Sequence, residues 1–387
     1  MKIVYINTFS DGSTGRICSN LGKFAASKGD EVLYFYGREY NPNNTEWTYI
    51  GQSGFKLFAS RILTYVTGKI GSFYKTSTKK MLEMIDKISP DVIHVHNIHG
   101  NFVNFKMLFD YLKKSKAKVI ITLHDEFLAT GRCAYIPNGC NERCNQCKKC
   151  KFKDEYPRTL IDKSHKLFLE KIALLDGFNA TYVSPSKWLQ GSFLSSKIGE
   201  GKNCIVINNG FPVENVSKLK KEKGDGKIKL LAAAFEWSEL KGRHILAKLV
   251  DLLDLDKYEL TVVGGIQDNY KFPTKINYFP KMSKEELAKF YANSDLFIMP
   301  TFNDNFPTVL IESLCYGLPI ISFDSGGCKE IVGDCGVMVK DRTAESLAKA
   351  INEFDFNKYT PEKCKERSKQ FSLEKMLEKY YEVYTSK

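Results

Sequence analysis

The chain has 387 residues, 43% hydrophobic and 26% charged, with a formal net charge of +12. That length exceeds one ordinary core and suits two α/β domains. The composition is that of a soluble globular protein, and no run approaches the roughly 18–20 apolar residues that cross a bilayer as a helix.

The elements follow in chain order. Met1-Lys2-Ile3-Val4-Tyr5-Ile6-Asn7 runs straight into a Gly-rich turn and reads as a first strand, not a signal peptide, which predicts a cytoplasmic protein. Further strands are predicted at 30–37, 91–97, 118–125 and 180–186. Each is short, rich in Val, Ile, Leu or Tyr, and bounded by Gly, Pro, Asp or Asn. A charged, Gly-containing connection at 217–226 separates them from a second set at 228–235, 258–264, 276–279, 295–300, 319–323 and 336–339. Strands alternating with helical stretches predict an α/β fold of two doubly wound, Rossmann-like parallel-sheet domains. We place the boundaries at 1–200, 201–370 and 371–387. The last stretch is a helix whose Leu373, Met376, Leu377, Tyr380, Tyr381 and Tyr384 recur at helical spacing, so one face is buried.

In open α/β sheets ligands bind beyond the carboxyl ends of the strands. Gly12-Ser13-Thr14-Gly15-Arg16 follows the first strand and opens a helix, where backbone amides suit an anion; a plain tight turn is the bland alternative. His96 and His124 end two strands at the same edge. His94 and His96 share a strand face, but no carboxylate accompanies them at metal-ligand spacing.

The most informative segment is Met299-Pro-Thr-Phe-Asn-Asp304-Asn-Phe-Pro307-Thr-Val-Leu-Ile-Glu312-Ser-Leu-Cys-Tyr-Gly317. Pro307 suits a first helical turn and Gly317 a C-terminal cap. Glu312 is the one charged residue between them, among Val309, Leu310, Ile311 and Leu314. A partly desolvated carboxylate needs donors, and a ribose diol supplies two. Asp304 beside a phosphate would be repelled, so it is expected to face a sugar hydroxyl or the reacting carbon. Ser325-Gly326-Gly327 follows a strand and suits an anion nest. Lys241-Gly242 opens a helix and brings a cation to the strand edge. Together these residues predict a nucleotide-diphosphate site.

Asp304-x7-Glu312 followed by Gly317-Leu-Pro319 resembles the E-x7-E segment of glycosyltransferase family 4, whose members are retaining enzymes of GT-B architecture. Asp324-Ser-Gly-Gly-Cys-Lys-Glu330 resembles that family's G-G-x-x-E, and Lys241-Gly242 its K-G. The turn at 13–17, Ile93-His-Val-His-Asn97, Leu123-His-Asp125, Val183-Ser-Pro-Ser186 and Asn208-Asn-Gly210 resemble a bacterial subgroup that builds surface polysaccharide.

The resemblance implies two domains facing across a cleft and transfer of a hexose or related sugar from a nucleotide-sugar donor, UDP before GDP. The acceptor would be a saccharide or lipid-linked. Glu312 would bind the ribose. Asp304, with the Asn305-Phe306-Pro307 backbone, would contact the transferred sugar. Lys241, Gly15, Arg16, Gly326 and Gly327 would hold the diphosphate, and His124 would lie near the donor sugar and the acceptor. No catalytic cofactor is implied.

Two departures stand out. Asp304 replaces the longer Glu of many relatives. The family's arginine before the K-G lysine is missing, its positions being Phe235 and Glu236, so either Arg243 or Arg16 substitutes or the phosphate clamp is weaker. A nucleotide-sugar epimerase of the same architecture and an inactive nucleotide-sugar-binding subunit are the alternative readings.

Five of the eleven cysteines lie within the 18 residues 133–150. Cys147-x2-Cys150 has the spacing of a zinc knuckle, and two more thiolates complete a tetrahedron. The subgroup's pattern implies Cys133, Cys140, Cys147 and Cys150 as structural zinc ligands, with Cys144 spare. Disulfides and unliganded thiols are the other readings.

The charge is lopsided: residues 1–180 carry 27 Lys and Arg against 17 Asp and Glu. Residues 54–88 mix Phe55, Leu57, Phe58, Ile62, Leu63 and Tyr65 with Lys56, Arg61, Lys69, Lys75, Lys79 and Lys80. They read either as a basic, amphipathic membrane-surface element at the inner face of the cell membrane or as ordinary packing helices. No nucleic-acid partner is expected, because no recognised binding module accompanies the charge.

Overall fold

A computed structural model describes every residue except 42–43, 138–139, 141–145, 214–218, 220–225, 267 and 387. The chain divides into two compact units, residues 1–207 with 377–387 and residues 208–376.

The first unit is a parallel sheet of β1 (Lys2–Asn7), β2 (Glu31–Tyr36), β3 (Trp47–Tyr49), β4 (Val92–Val95), β5 (Lys118–Thr122), β6 (Thr181–Ser184) and β7 (Cys204–Val206). Their spatial order is β3-β2-β1-β4-β5-β6-β7. Helices α1 (Gly12–Ser27), α2 (Gly54–Thr67), α3 (Lys75–Ile88), α4 (Phe105–Lys114), α5 (Ser164–Leu175) and α6 (Lys187–Leu194) connect them. Strands buried on both faces read as continuous apolar runs, as Ile3-Val4-Tyr5-Ile6 does. The resemblance motif ending in Ser186 has a local cause: the Ser186 hydroxyl caps α6 by accepting from the Leu189 amide.

The second unit pairs β8 (Ile228–Trp237), β9 (Tyr258–Ile266), β10 (Asn277–Phe279), β11 (Leu296–Met299), β12 (Ile320–Phe323) and β13 (Gly336–Val339) in the order β10-β9-β8-β11-β12-β13. Its helices are α7 (Arg243–Leu249), α8 (Lys284–Asn293), α9 (Thr308–Cys315), α10 (Cys328–Val332), α11 (Ala344–Asn352) and α12 (Pro361–Ser368). Apolar clusters cover both sheet faces, one around Leu246 and Leu347, the other around Leu310 and Ile331.

Both units share the strand order 3-2-1-4-5-6, so each has a switch point where the winding reverses: β1/β4 in the first, β8/β11 in the second. There the loops after adjacent strands part and leave a crevice.

Helix α13 (Leu373–Thr385) begins in the second unit and ends in the first. Tyr380 and Tyr384 are buried, and the Tyr384 hydroxyl meets His94 Nδ1 at 2.8 Å and the Tyr5 hydroxyl at 3.2 Å.

Candidate functional site

The carboxyl ends of β8, β11 and β12 carry most of the expected donor residues. Lys241 follows β8, Asp304 follows β11, and Ser325-Gly326-Gly327 follow β12. The Lys241 ammonium forms an ion pair with the Asp304 carboxylate. The Gly327 amide donates to the Asp304 carbonyl at 3.0 Å. A Cβ on Gly326, whose φ is +54°, would stand 1.8 Å from that same oxygen. Gly242 is equally constrained, since a Cβ there would lie 2.1 Å from the Pro300 carbonyl oxygen. Three loops from three strands are thus packed backbone to backbone, and only glycine permits it at these two contacts.

Asp304, expected to face a sugar hydroxyl or the reacting carbon, is paired here with Lys241. The cation and the acid share one sheet edge, and Coulomb attraction draws them together. An ammonium carries three donors, so this pairing is compatible with a simultaneous bond to a diphosphate oxygen.

Glu312 lies one turn from the end of α9, half-buried, and accepts from the Tyr291 hydroxyl at 3.4 Å. Burial and the neighbouring carboxylate push the Tyr291 phenol well above its ordinary value, so it stays a donor. Tyr291 is sandwiched between Phe297 and Tyr316, with ring centroids at 5.8 and 5.2 Å. Phe306 and Pro307 are buried, and the Phe306 ring packs at 5.6 Å from Phe371, so its side chain belongs to the core and only its backbone can serve a ligand.

Sequence reasoning missed Arg342. Its guanidinium donates to the Phe302 carbonyl at 3.0 Å and to the Asp324 carbonyl at 2.6 Å, tying the loops that carry Asp304 and Gly326. No motif marks it.

Of the two arginines named as substitutes, Arg243 is engaged by acidic neighbours. One terminal nitrogen of Arg243 donates to both Asp268 oxygens at 2.8 and 2.7 Å, its Nε donates to Glu239 at 2.8 Å, and the guanidinium stacks on Tyr270. Those ion pairs raise its already high pKa, Asp268 contributing most. Arg16 and Gly15 lie in the first unit, apart in sequence and unit from the rest of the donor set. The Arg16 Nε turns back to its own helix at the Gly12 carbonyl, and Gly15 lets α1 approach Ser10, whose backbone a Cβ would meet at 2.6 Å. At the position of the missing arginine, Phe235 is exposed, with the Lys281 ammonium 3.8 Å from its ring centroid.

In the first unit a polar network spans the ends of β1, β4 and β5. The Asn97 amide donates to Asn7 Oδ1 at 3.1 Å, and His99 Nε2 meets Asp125 Oδ2 at 2.6 Å. Burial alone would raise the Asp125 carboxyl, but His99 outweighs it and holds the carboxyl below its ordinary value. The His99–Asp125 pair was not foreseen. Its one signal is the histidine in Asn97-Ile-His99-Gly100, just past the strand.

His124 is half-buried, and its Nε2 lies 2.9 Å from His96 Nδ1. His94 is structural, bridging Tyr384 and Thr122 at 2.8 Å each. Burial presses all three imidazoles below their ordinary value, His124 to about 4 and the others well below. A histidine kept neutral by the fold adds stability above its unfolded pKa of 6.5, and that stability is lost as pH falls from there towards the folded value. The melting temperature is therefore expected to be flat above about pH 7 and to fall between about pH 6.5 and 4. Scanning fluorimetry across that range checks this, and the fall should shrink in His94→Asn. An unchanged midpoint down to about pH 4 would refute the neutral assignment.

Cys133, Cys140, Cys147 and Cys150 line one small cavity of about 20 Å³, shared with Arg132 and Ser164. Cys144 lies outside the described residues. The neighbouring Cys133 and Cys150 thiols shift each other, the first upward and the second downward, and Cys147 Sγ accepts from the Gly131 amide at 3.4 Å. The described cysteines form no disulfide, and no group of three His, Cys, Asp or Glu side chains among the described residues is placed to hold a metal ion. The four cysteines expected as zinc ligands nevertheless converge on this one cavity. Among the described residues no helix is long and apolar enough to cross a membrane.

Two parallel-sheet α/β units, one of seven strands and one of six, define the GT-B architecture. Residues 212–371 match the family described as "Glycosyl transferases group 1", and the chain is a glycosyltransferase. Over 99% of both chains it is 25% identical to the "Putative colanic acid biosynthesis glycosyl transferase WcaC" of Escherichia coli (strain K12). It is 22% identical over 97% of each chain to an "Uncharacterized glycosyltransferase" of Haemophilus influenzae. Among solved structures, Anabaena Alr3699/HepE in complex with UDP superposes with a TM-score of 0.71 at 13% identity over 100% of both chains. A glycosyltransferase from Rickettsia africae gives 0.69 at 17% identity, over 99% of this chain and 97% of that one. At such identities the solved structures speak for the fold alone.

Proposed function

We propose that the protein is a retaining glycosyltransferase that moves a hexose or related sugar from a UDP-sugar to a saccharide or lipid-linked acceptor during synthesis of a surface polysaccharide. The observation that carries this reading is the gathering of Lys241, Asp304 and Gly326-Gly327 at the switch point, with Glu312 on the helix that follows. The colanic acid role printed for the E. coli relative supports the polysaccharide, and the UDP and UDP-glucose complexes of the Anabaena protein support the base.

The chemistry follows from charge. The anomeric C–O bond to the diphosphate breaks and its electron pair leaves with the phosphate oxygen. The Lys241 ammonium and the amides around Gly326-Gly327 meet that growing charge. Asp304 orients Lys241 and stabilises positive character at the anomeric carbon. The acceptor oxygen attacks from the face the leaving group departs, which retains configuration, and its proton passes to the departing phosphate oxygen. His124, neutral near pH 7, serves as a hydrogen-bond partner to a sugar hydroxyl rather than as a cation.

Calorimetric titration of UDP and GDP tests the site. UDP should bind more tightly, and Glu312→Ala should weaken it by about 1.5–3 kcal/mol, the worth of a hydrogen bond to a charged group. Binding indifferent to Glu312 would remove the ribose assignment. A preference for GDP would remove the base assignment alone.

A further inference from the structure

Helix α2 is inside out. Phe55, Phe58, Ile62 and Val66 recur at helical spacing on one stripe, and all four are exposed, Phe55 by 81% and Phe58 by 61%. The side turned into the unit is hydroxyl-bearing. Thr64 is the one buried residue of the helix and donates to the Ser60 carbonyl, while the Ser60 hydroxyl donates to Gln52 Oε1. Exposed Lys56 and Arg61 flank the apolar stripe on either side. Helix α3, by contrast, buries Thr78, Met81 and Ile85 as an ordinary packing helix. The two readings of the basic segment therefore divide between its two helices.

The stripe continues onto Leu160 and Ile161, both exposed, because the Leu160 amide donates to the Tyr65 carbonyl at 2.8 Å. Next to this join opens a cavity of about 370 Å³ walled by Lys69, Lys75, Lys163 and Lys166, with Ser72. Its acid is Glu170, 3.9 Å from Lys166. Lys69 lies two residues beyond α2 and Lys163 two beyond Ile161, so basic hollow and apolar stripe share one surface.

We propose that this face of the first unit docks on a phosphate-bearing lipid surface, the α2 stripe entering the acyl boundary and the lysine cavity taking a lipid phosphate. Apolar side chains bordered by lysine and arginine suit that interface, where burial and attraction to anionic headgroups act together. A second copy of the chain fits worse, since a two-fold contact would set lysine cavity near lysine cavity. The proposal is independent of the sugar-donor assignment.

Co-sedimentation of the full chain with phosphatidylcholine vesicles, with and without phosphatidylglycerol, tests it. Binding is expected only with the anionic lipid and should fall with added salt. Phe55→Ser/Phe58→Ser should weaken it by about tenfold or more for each ring. Lys163→Gln/Lys166→Gln should weaken it about fivefold per lysine. All four side chains lie at the surface or cavity wall, and an unchanged melting temperature confirms that the variants fold. Wild type left in the supernatant with both vesicles, equal binding to neutral vesicles, or undiminished binding of the phenylalanine variant would each overturn the proposal. So would light scattering that shows a dimer abolished by the same phenylalanine changes.

Discussion

Replacing Lys241 by methionine is expected to lower kcat by about 10²- to 10³-fold, the usual loss when a group aimed at developing charge is removed. Methionine keeps the stem and removes the ammonium. The substitution has a second consequence, because it leaves the partly buried Asp304 carboxylate without its ion-pair partner. That should cost about 1–3 kcal/mol of stability. The two effects separate in the double variant Lys241→Met/Asp304→Asn, in which no charge is left unpaired. Its melting temperature should return towards wild type while turnover stays low. Steady-state rates with the preferred nucleotide sugar, beside thermal melts of the single and double variants, give both readouts. Rescue of activity along with stability would mean that the pair is structural, and a loss in kcat of less than about tenfold for the single variant would remove Lys241 from the chemistry.

Much of this arrangement is legible in the chain, and what is not has physical causes. The central strands announce themselves because both faces are buried, so Ile3–Ile6 and Leu296–Met299 are unbroken apolar runs. The edge strand β3 escapes notice because three residues, Trp47-Thr48-Tyr49, give too short a period to read. β8 was expected to end at 235 but runs on to Trp237 through a register irregularity between Ala233 and Glu236. Its near neighbour Gly264 allows that approach, a Cβ there meeting the Ala234 carbonyl oxygen at 2.2 Å. A bulge of this kind is set by the partner strand, which the local pattern of β8 does not report.

The same division holds for the site. Glu312 is conspicuous as a lone acid among apolar neighbours, and the glycines and Lys241 by their places after strands. Pairings across loops are invisible in one dimension: Lys241 with Asp304, His99 with Asp125, and Arg342 on two carbonyls. Each joins residues more than about a strand-and-helix unit apart or separated by a turn whose course the sequence leaves open. Propensity and periodicity operate within one element and carry no information on such contacts.

Gly326→Ala should show how closely those loops are matched. The methyl group would stand 1.8 Å from the Asp304 carbonyl oxygen, and the φ of +54° is one that alanine adopts only at a cost of about 1–2 kcal/mol. Backbone cannot swing away as a flexible side chain can, so the Asp304 segment must move bodily, and with it the carboxylate and its lysine. A displacement near 1 Å at a reacting centre costs about 10²-fold in rate. We therefore expect kcat/KM to fall by about that factor, with a melting temperature lower by several degrees. Gly177→Ala is the matching control. Its φ of +61° is similar, but a Cβ there meets nothing within 4 Å, and it lies in the first unit on the exposed turn between α5 and β6. It should carry the conformational strain without the clash, losing stability and keeping full activity. If both variants lose stability alike and neither loses activity, the approach of Gly326 to Asp304 contributes to folding alone. If only Gly326→Ala loses turnover, the loop contact sets where Asp304 and Lys241 stand, and backbone fit at the switch point governs the reaction as directly as the charged side chains do.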